Sequence, residues 1–157
     1  MNELINSWGN EMKVNDILAV KGRRVVTIVA STSIFDAMLV FAANRIGSLL
    51  VIDKNENILG IICARDVLMA TINHYEDIKS VPIDKIMSTD LIVGRKDDDL
   101  DYVRAVMTKN RIRHLPIFDN NRIVGLISMG DVVNAQVEEK DVELRYYKDY
   151  ISDRYPG

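Results

Sequence analysis

The chain has 157 residues, of which 48% are apolar and 27% charged, enough to bury a substantial core without disulfide support. Its single cysteine excludes an internal bridge, and two histidines offer no metal-ligand cluster of recognisable spacing. A net charge of -3 disfavours nucleic acid as the primary partner; with no basic-then-apolar leader and no apolar run near ~18 residues, neither secretion nor membrane spanning is expected. A reducing cytoplasm is the expected compartment.

In chain order, a first segment begins near Val14–Leu18, and the β-branched run Val25–Val29 predicts a strand. Ser33 precedes Ile34, Ala37, Met38 and Phe41, spaced for one face of a helix ending near Asn44–Arg45. Ser48–Ile52 and Ile58–Cys63 predict two strands around an Asp53–Asn57 turn, and Asp66 opens a helix reaching about Asn73. His74–Val81 is the expected connector. The elements then recur as Ile83–Met87, strand Leu91–Val93, helix Leu100–Asn110, strands Leu115–Phe118 and Ile123–Ser128, and a helix from Asp131.

That recurrence is written in the residues. Asn44-Arg-Ile-Gly-Ser-Leu-Leu-Val-Ile-Asp53 lies over Asn110-Arg-Ile-Arg-His-Leu-Pro-Ile-Phe-Asp119, keeping Asn, Arg, Ile, Leu and Asp in register. After the loss of one residue, Ile58-Leu-Gly-Ile-Ile-Cys-Ala-Arg-Asp66 lies over Ile123-Val-Gly-Leu-Ile-Ser-Met-Gly-Asp131. A period of about 65 residues suits a duplicated half-domain rather than a solenoid. Each copy reads β-α-β-β-α and leaves one sheet face uncovered, so an α+β (α/β) fold is expected, two such sheets packing face to face about a pseudo-twofold axis.

The last helix runs past the repeat. Val133, Val137, Leu144, Tyr147 and Ile151 continue one apolar stripe for about five turns. Either the stripe packs on its own domain or it binds a partner, a second copy of the chain first; Tyr146, Tyr147, Tyr150 and Tyr155 suit such an interface.

Arg111-Ile-Arg-His-Leu-Pro-Ile117 and Gly125-Leu-Ile-Ser-Met-Gly-Asp131, with their counterparts in the first copy, resemble the cystathionine β-synthase (CBS) domain over roughly residues 13 to 136. The resemblance implies repeat one at 13–79, repeat two at 80–137 and a helical extension at 138–157. It also implies a stand-alone regulatory pair that is not an enzyme, needs no cofactor, and reversibly binds an adenine nucleotide. AMP comes first, with ADP, ATP or NAD as further ligands. Binding in the inter-repeat cleft would shift the repeats or a homodimer and so act on a downstream protein that the sequence does not identify. S-adenosylmethionine is an alternative ligand, and a constitutive interaction module with a vestigial cleft an alternative role.

Ser128-Met129-Gly130-Asp131 joins a strand to a helix, where backbone N–H groups and the dipole favour an anion and Asp131 offers two acceptors to a ribose diol. The same Ser-x-x-Asp spacing is that of a capping box, a purely structural reading. By resemblance, Ser128 and Asp131 grip phosphate and ribose, and the base rests near Val26 and Thr27, against Ile46, Gly47 and Ser48. Arg113 and His114 face the converging phosphates in this picture. Repeat one places Cys63, Arg65 and Asp66 at a weaker second site, because a thiol is a poor phosphate donor. Cys63 is otherwise a buried strand end or, less simply, a redox sensor.

Lys21, Arg23 and Arg24 form a basic cluster in an expected loop, either solvated or touching a polyphosphate tail. Asp97-Asp98-Asp99 reads as a helix cap before Leu100 rather than a metal site. No P-loop, Gly-x-Ser-x-Gly elbow, His-Glu-x-x-His or Gly-x-Gly-x-x-Gly occurs.

Overall fold

In a computed structural model, residues 11–154 are described; Met1–Trp8 and Tyr155 fall outside them. Among the described residues the architecture is mixed α and β, with two three-stranded sheets and five α-helices. Contacts divide the chain into Arg24–Ile92 and a second unit joining the described part of residues 1–23 to residues 93–157.

The first unit runs β1 (Thr27–Val29), α2 (Ile34–Asn44), β2 (Ser48–Ile52), β3 (Ile58–Cys63) and α3 (Ala64–Asn73), preceded in the other unit by α1 (Val14–Lys21). β1 pairs parallel with β2, and β2 antiparallel with β3, in the order β1-β2-β3. The second unit repeats this as β4 (Gly94–Arg95), α4 (Leu100–Asn110), β5 (His114–Asp119), β6 (Arg122–Ser128) and α5 (Met129–Arg154), in the order β4-β5-β6. Both sheets shift register at matching places, Val51/Ile52 and Ile117/Phe118.

The duplicated Asn-Arg pair has a local purpose. Helices α2 and α4 both stop because Arg45 and Arg111 adopt left-handed backbone, at φ 52° and 55°. Just before them, Asn44 and Asn110 each donate a side-chain N–H to the carbonyl one turn back, Val40 and Val106, at 2.8 Å. Ser33 caps α2 at the other end, accepting from Asp36 N–H at 3.1 Å. The residue lost between copies falls in the hairpin. Asp53 accepts from the N–H groups of Asn55 and Asn57 in the longer turn, whereas Asn120 and Asn121, both at positive φ, close the shorter one.

The expected strand Leu91–Val93 lies further along, at Gly94–Arg95. The strand starts where the chain comes close to β5, an approach that glycine makes easy: a Cβ on Gly94 would sit 2.8 Å from Leu115 Cδ2, which would have to move aside. Leu91–Val93 precede that approach and stay outside the ladder.

The leading segments pack where chain order does not predict. Helix α1 opens repeat one in sequence, yet Val14 and Asn15 donate their N–H groups to Asp98 O and Lys96 O, and Leu18 lies against Gly125 of β6. Conversely, the 3₁₀ turn Ile83–Lys85 opens repeat two in sequence, but Ile83 N–H donates to Thr32 O and Ile83 joins Ile28, Ile34, Leu49, Val51 and Ile62 in the core of the first unit. In the second unit the fully buried residues include Val14, Val103, Met107, Ile117, Ile127 and Val132.

Helix α5 continues 26 residues. Much of the stripe stays exposed: Val137 is 54% exposed, Leu144 55% and Ile151 61%. Tyr146 and Tyr150 stack with ring centroids 6.4 Å apart.

Candidate functional site

In the second unit three pieces of chain meet at one corner. β6 ends at Ser128 and α5 begins at Met129, while β5 runs antiparallel beside β6 with His114 opposite Ser128. Met129 N–H donates to Arg113 O at 2.8 Å, tying the start of the helix to the start of the strand. Ser128, Met129, Gly130, Asp131, Arg113 and His114 are thereby brought together as the sequence expects.

Ser128 and Asp131 form the capping box. Ser128 N–H donates to Asp131 Oδ2 at 2.7 Å, and Asp131 N–H donates to Ser128 Oγ at 3.1 Å. The cap holds the Asp131 carboxylate partly buried at the positive end of the α5 dipole. Capping and ligand contact are compatible here, because the cap positions a carboxylate that retains further acceptor capacity. Gly130 is exposed, and a Cβ there would make only an ordinary contact, 3.5 Å from Ser128 Oγ.

Sequence reasoning missed one member. Lys21 is the last residue of α1 rather than a loop residue, and its Nζ donates to Asp131 Oδ2 at 2.6 Å and to Leu126 O at 2.9 Å. The only signal in the sequence was the Lys21–Arg24 charge cluster, 110 positions from its target. Arg23 turns instead to Asn15 Oδ1 at 2.9 Å, and Arg24 is exposed. Burial by itself would raise the Asp131 pKa, but the bonds from Lys21 and from Ser128 N–H outweigh it and hold the carboxyl below the usual range.

His114 is half-buried. Burial first, then the Lys21 and Arg113 charges, hold its pKa below the ordinary 6.5 against the pull of Asp131. The folded state therefore resists a proton that the unfolded chain accepts. Stability from this group is complete above pH 6.5 and is lost as pH falls toward the folded pKa. Urea midpoints measured downward from pH 6.5 are expected to decline in the natural chain and to flatten in His114→Asn.

The first unit builds the same corner with other side chains. Ser48 lies opposite Cys63, and Ala64 N–H donates to Gly47 O at 3.0 Å. Cys63 N–H donates to Asp66 Oδ2 at 2.8 Å and the Cys63 side chain faces Asp66 N–H, repeating the capping box with sulfur in place of the hydroxyl. Burial, then Asp66, pushes the Cys63 thiol up to about 11, which disfavours the reactive thiolate near neutral pH. Arg65 is exposed beside it. Val26 O accepts from Leu50 N–H, and Thr27 starts β1 alongside, so Val26, Thr27, Ile46, Gly47 and Ser48 cluster in this unit. Ser48 is 3% exposed, and its hydroxyl has no hydrogen-bond partner among the described residues. A buried hydroxyl left in that state is costly unless something completes it.

Two residues of the acidic triplet have structural partners. Asp98 accepts from Arg95 N–H at 2.8 Å, while Asp99 stands at the N-terminus of α4 and pairs with Lys13 instead of capping the helix. Among the described residues, no helix is long and apolar enough to cross a membrane.

Known proteins resemble this chain in sequence and in fold. A family model described as CBS domain matches residues 14–73 and 83–138. The CBS domain-containing protein CBSX3, mitochondrial, of Arabidopsis thaliana is 29% identical over 150 residues, covering 90% of this chain and 73% of that protein. Among solved structures, the CBS-domain protein ATU1752 of Agrobacterium tumefaciens superposes with a TM-score of 0.77 at 33% identity, over 82% of this chain and 96% of that one. The CBS pair of protein MJ0100, solved with 5′-methylthioadenosine and S-adenosyl-L-methionine, gives 0.71 at 25% identity, over 83% and 99%. With both repeats matched and each built around the same strand–helix corner, this chain belongs to the CBS domain family and carries two copies of the domain.

Proposed function

We propose that the chain is a regulatory module that reversibly binds an adenosine-containing ligand at the Ser128–Asp131 corner, AMP first, with ADP, ATP and NAD as further candidates. One observation carries this reading. The capping box fixes a partly buried carboxylate at the N-terminus of α5, beside Lys21, Arg113 and an exposed glycine. Asp131 is suited to a ribose diol, and the helix N–H groups and cations to a phosphate. MJ0100 supports the ligand class, since both molecules bound to it contain adenosine.

In the first unit we assign Val26, Thr27, Ile46, Gly47 and Ser48 to base contact, the Ser48 hydroxyl being a group that a ligand atom would satisfy. The corner of Cys63, Arg65 and Asp66 is the weaker one, for its thiol replaces the Ser128 hydroxyl. Ligand identity is tested by thermal unfolding with AMP, ADP, ATP, NAD and S-adenosylmethionine over concentration series. At about 100 times its dissociation constant a ligand adds about 2.7 kcal/mol, a shift of roughly 5 to 10 °C. Silence across the panel would remove the sensor reading in favour of a constitutive interaction module.

The α5 stripe supports a second copy of the chain as partner. Val137, Leu144 and Ile151 recur every seven residues, with Val133 and Tyr147 at the intervening positions, which is coiled-coil spacing. Leu144→Asp together with Ile151→Asp is expected to convert a dimer to a monomer in light scattering while circular dichroism shows the subunit still folded, and to remove any dependence of the unfolding temperature on protein concentration. A natural chain that is monomeric at all concentrations would overturn the assignment.

A further inference from the structure

Lys21 occupies the carboxylate oxygen that the proposed ligand needs. Both Lys21 Nζ and Ser128 N–H donate to Asp131 Oδ2, so a ribose diol gripping both carboxylate oxygens competes with the ammonium for the same acceptor. The corner nevertheless carries more positive than negative charge: Lys21 and Arg113 stand against the single carboxylate of Asp131, in a chain whose total is -3. A neutral nucleoside offers Lys21 nothing in exchange for Asp131. A phosphorylated one offers a second anion within reach of the same flexible side chain.

We infer that Lys21 is a specificity-determining gate that leaves Asp131 for the ligand's phosphate, so that the corner selects 5′-phosphorylated adenosine over uncharged or cationic adenosyl compounds. The geometry favours such a transfer. Lys21 sits in the last turn of α1, held there by Leu126 O as well as by Asp131, and its side chain remains 42% exposed. The ammonium is a point charge on a long stem that can change partners without moving the helix. This inference rests on the adenosine-ligand reading and adds to it the residue that would make the corner prefer a phosphorylated ligand.

Titration calorimetry of the full chain with AMP, adenosine and S-adenosylmethionine tests it. The natural chain is expected to bind AMP at least roughly tenfold more tightly than adenosine, the scale of one charge-assisted contact to phosphate. Lys21→Met should weaken AMP and leave adenosine unchanged or tighter, so that the preference collapses; Lys21→Arg should restore most of it. Lys21→Gln serves as a second neutral variant should methionine disturb the α1 terminus. A merely structural lysine would weaken both ligands together and leave their ratio intact, which overturns the gate while preserving the site. Failure of the natural chain to bind any of the three removes the site and the gate with it.

Discussion

Asp131→Ala is expected to abolish the thermal shift that AMP produces in the natural chain, with affinity falling by about two orders of magnitude or more. The carboxylate has two functions that the substitution removes together: it caps Ser128 N–H and it is the proposed acceptor for the ribose. Lost capping alone costs about 1 kcal/mol, a few degrees in a chain of this size. Asp131→Asn separates the two effects, since the amide oxygen can still accept from Ser128 while the charge facing Lys21 is gone. Ligand-free unfolding temperature should recover in the asparagine variant and nucleotide binding should not. If Asp131→Ala binds AMP as tightly as the natural chain, the corner is a helix cap and nothing more.

Gly60→Ala should be the most destabilising single-methyl addition in the first unit. A Cβ at Gly60 would lie 2.4 Å from the carbonyl oxygen of Ser88 and 3.2 Å from Met87 Sδ. That carbonyl accepts from Ile61 N–H at 2.9 Å, and Ser88 N–H donates back to Ile61 O at 2.9 Å, so it is fixed backbone that cannot swing aside. Overpacking against it should cost roughly 3 kcal/mol, or about 6 to 12 °C in unfolding temperature. The glycine in register in the other copy makes a useful control. A Cβ at Gly125 would meet Leu18 Cδ2 at 2.4 Å, a buried but rotatable side chain, so Gly125→Ala should cost less. Equal losses at the two positions would mean that the Ser88 carbonyl yields as readily as a leucine methyl.

These two glycines also separate what the sequence carried from what it did not. The alignment puts a glycine in register in both copies, but its neighbour is Ser88 in one copy and Leu18 in the other, and no local pattern distinguishes them. Likewise the Asn-Arg pair marked a shared helix end, and the structure adds the left-handed arginine that makes it one. Ser128 and Asp131 were legible because capping geometry is written in a four-residue spacing. Strand β4 was placed three residues early, since the residue that starts it is selected by contact with Leu115 rather than by β-propensity.

What the sequence by itself determined is the duplication, the β-α-β-β-α order of each copy, the strand–helix corner with its carboxylate, and the long stripe of α5. Periodicity, capping and turn formation depend on residues a few positions apart, and such interactions leave a pattern along the chain. Only the tertiary structure decided that α1 packs on β6 and Ile83 on the sheet of the first unit, and that Lys21 closes on Asp131. Those contacts join residues as many as 110 positions apart and are fixed by which apolar faces need covering once both sheets exist, a condition that no stretch of the chain records.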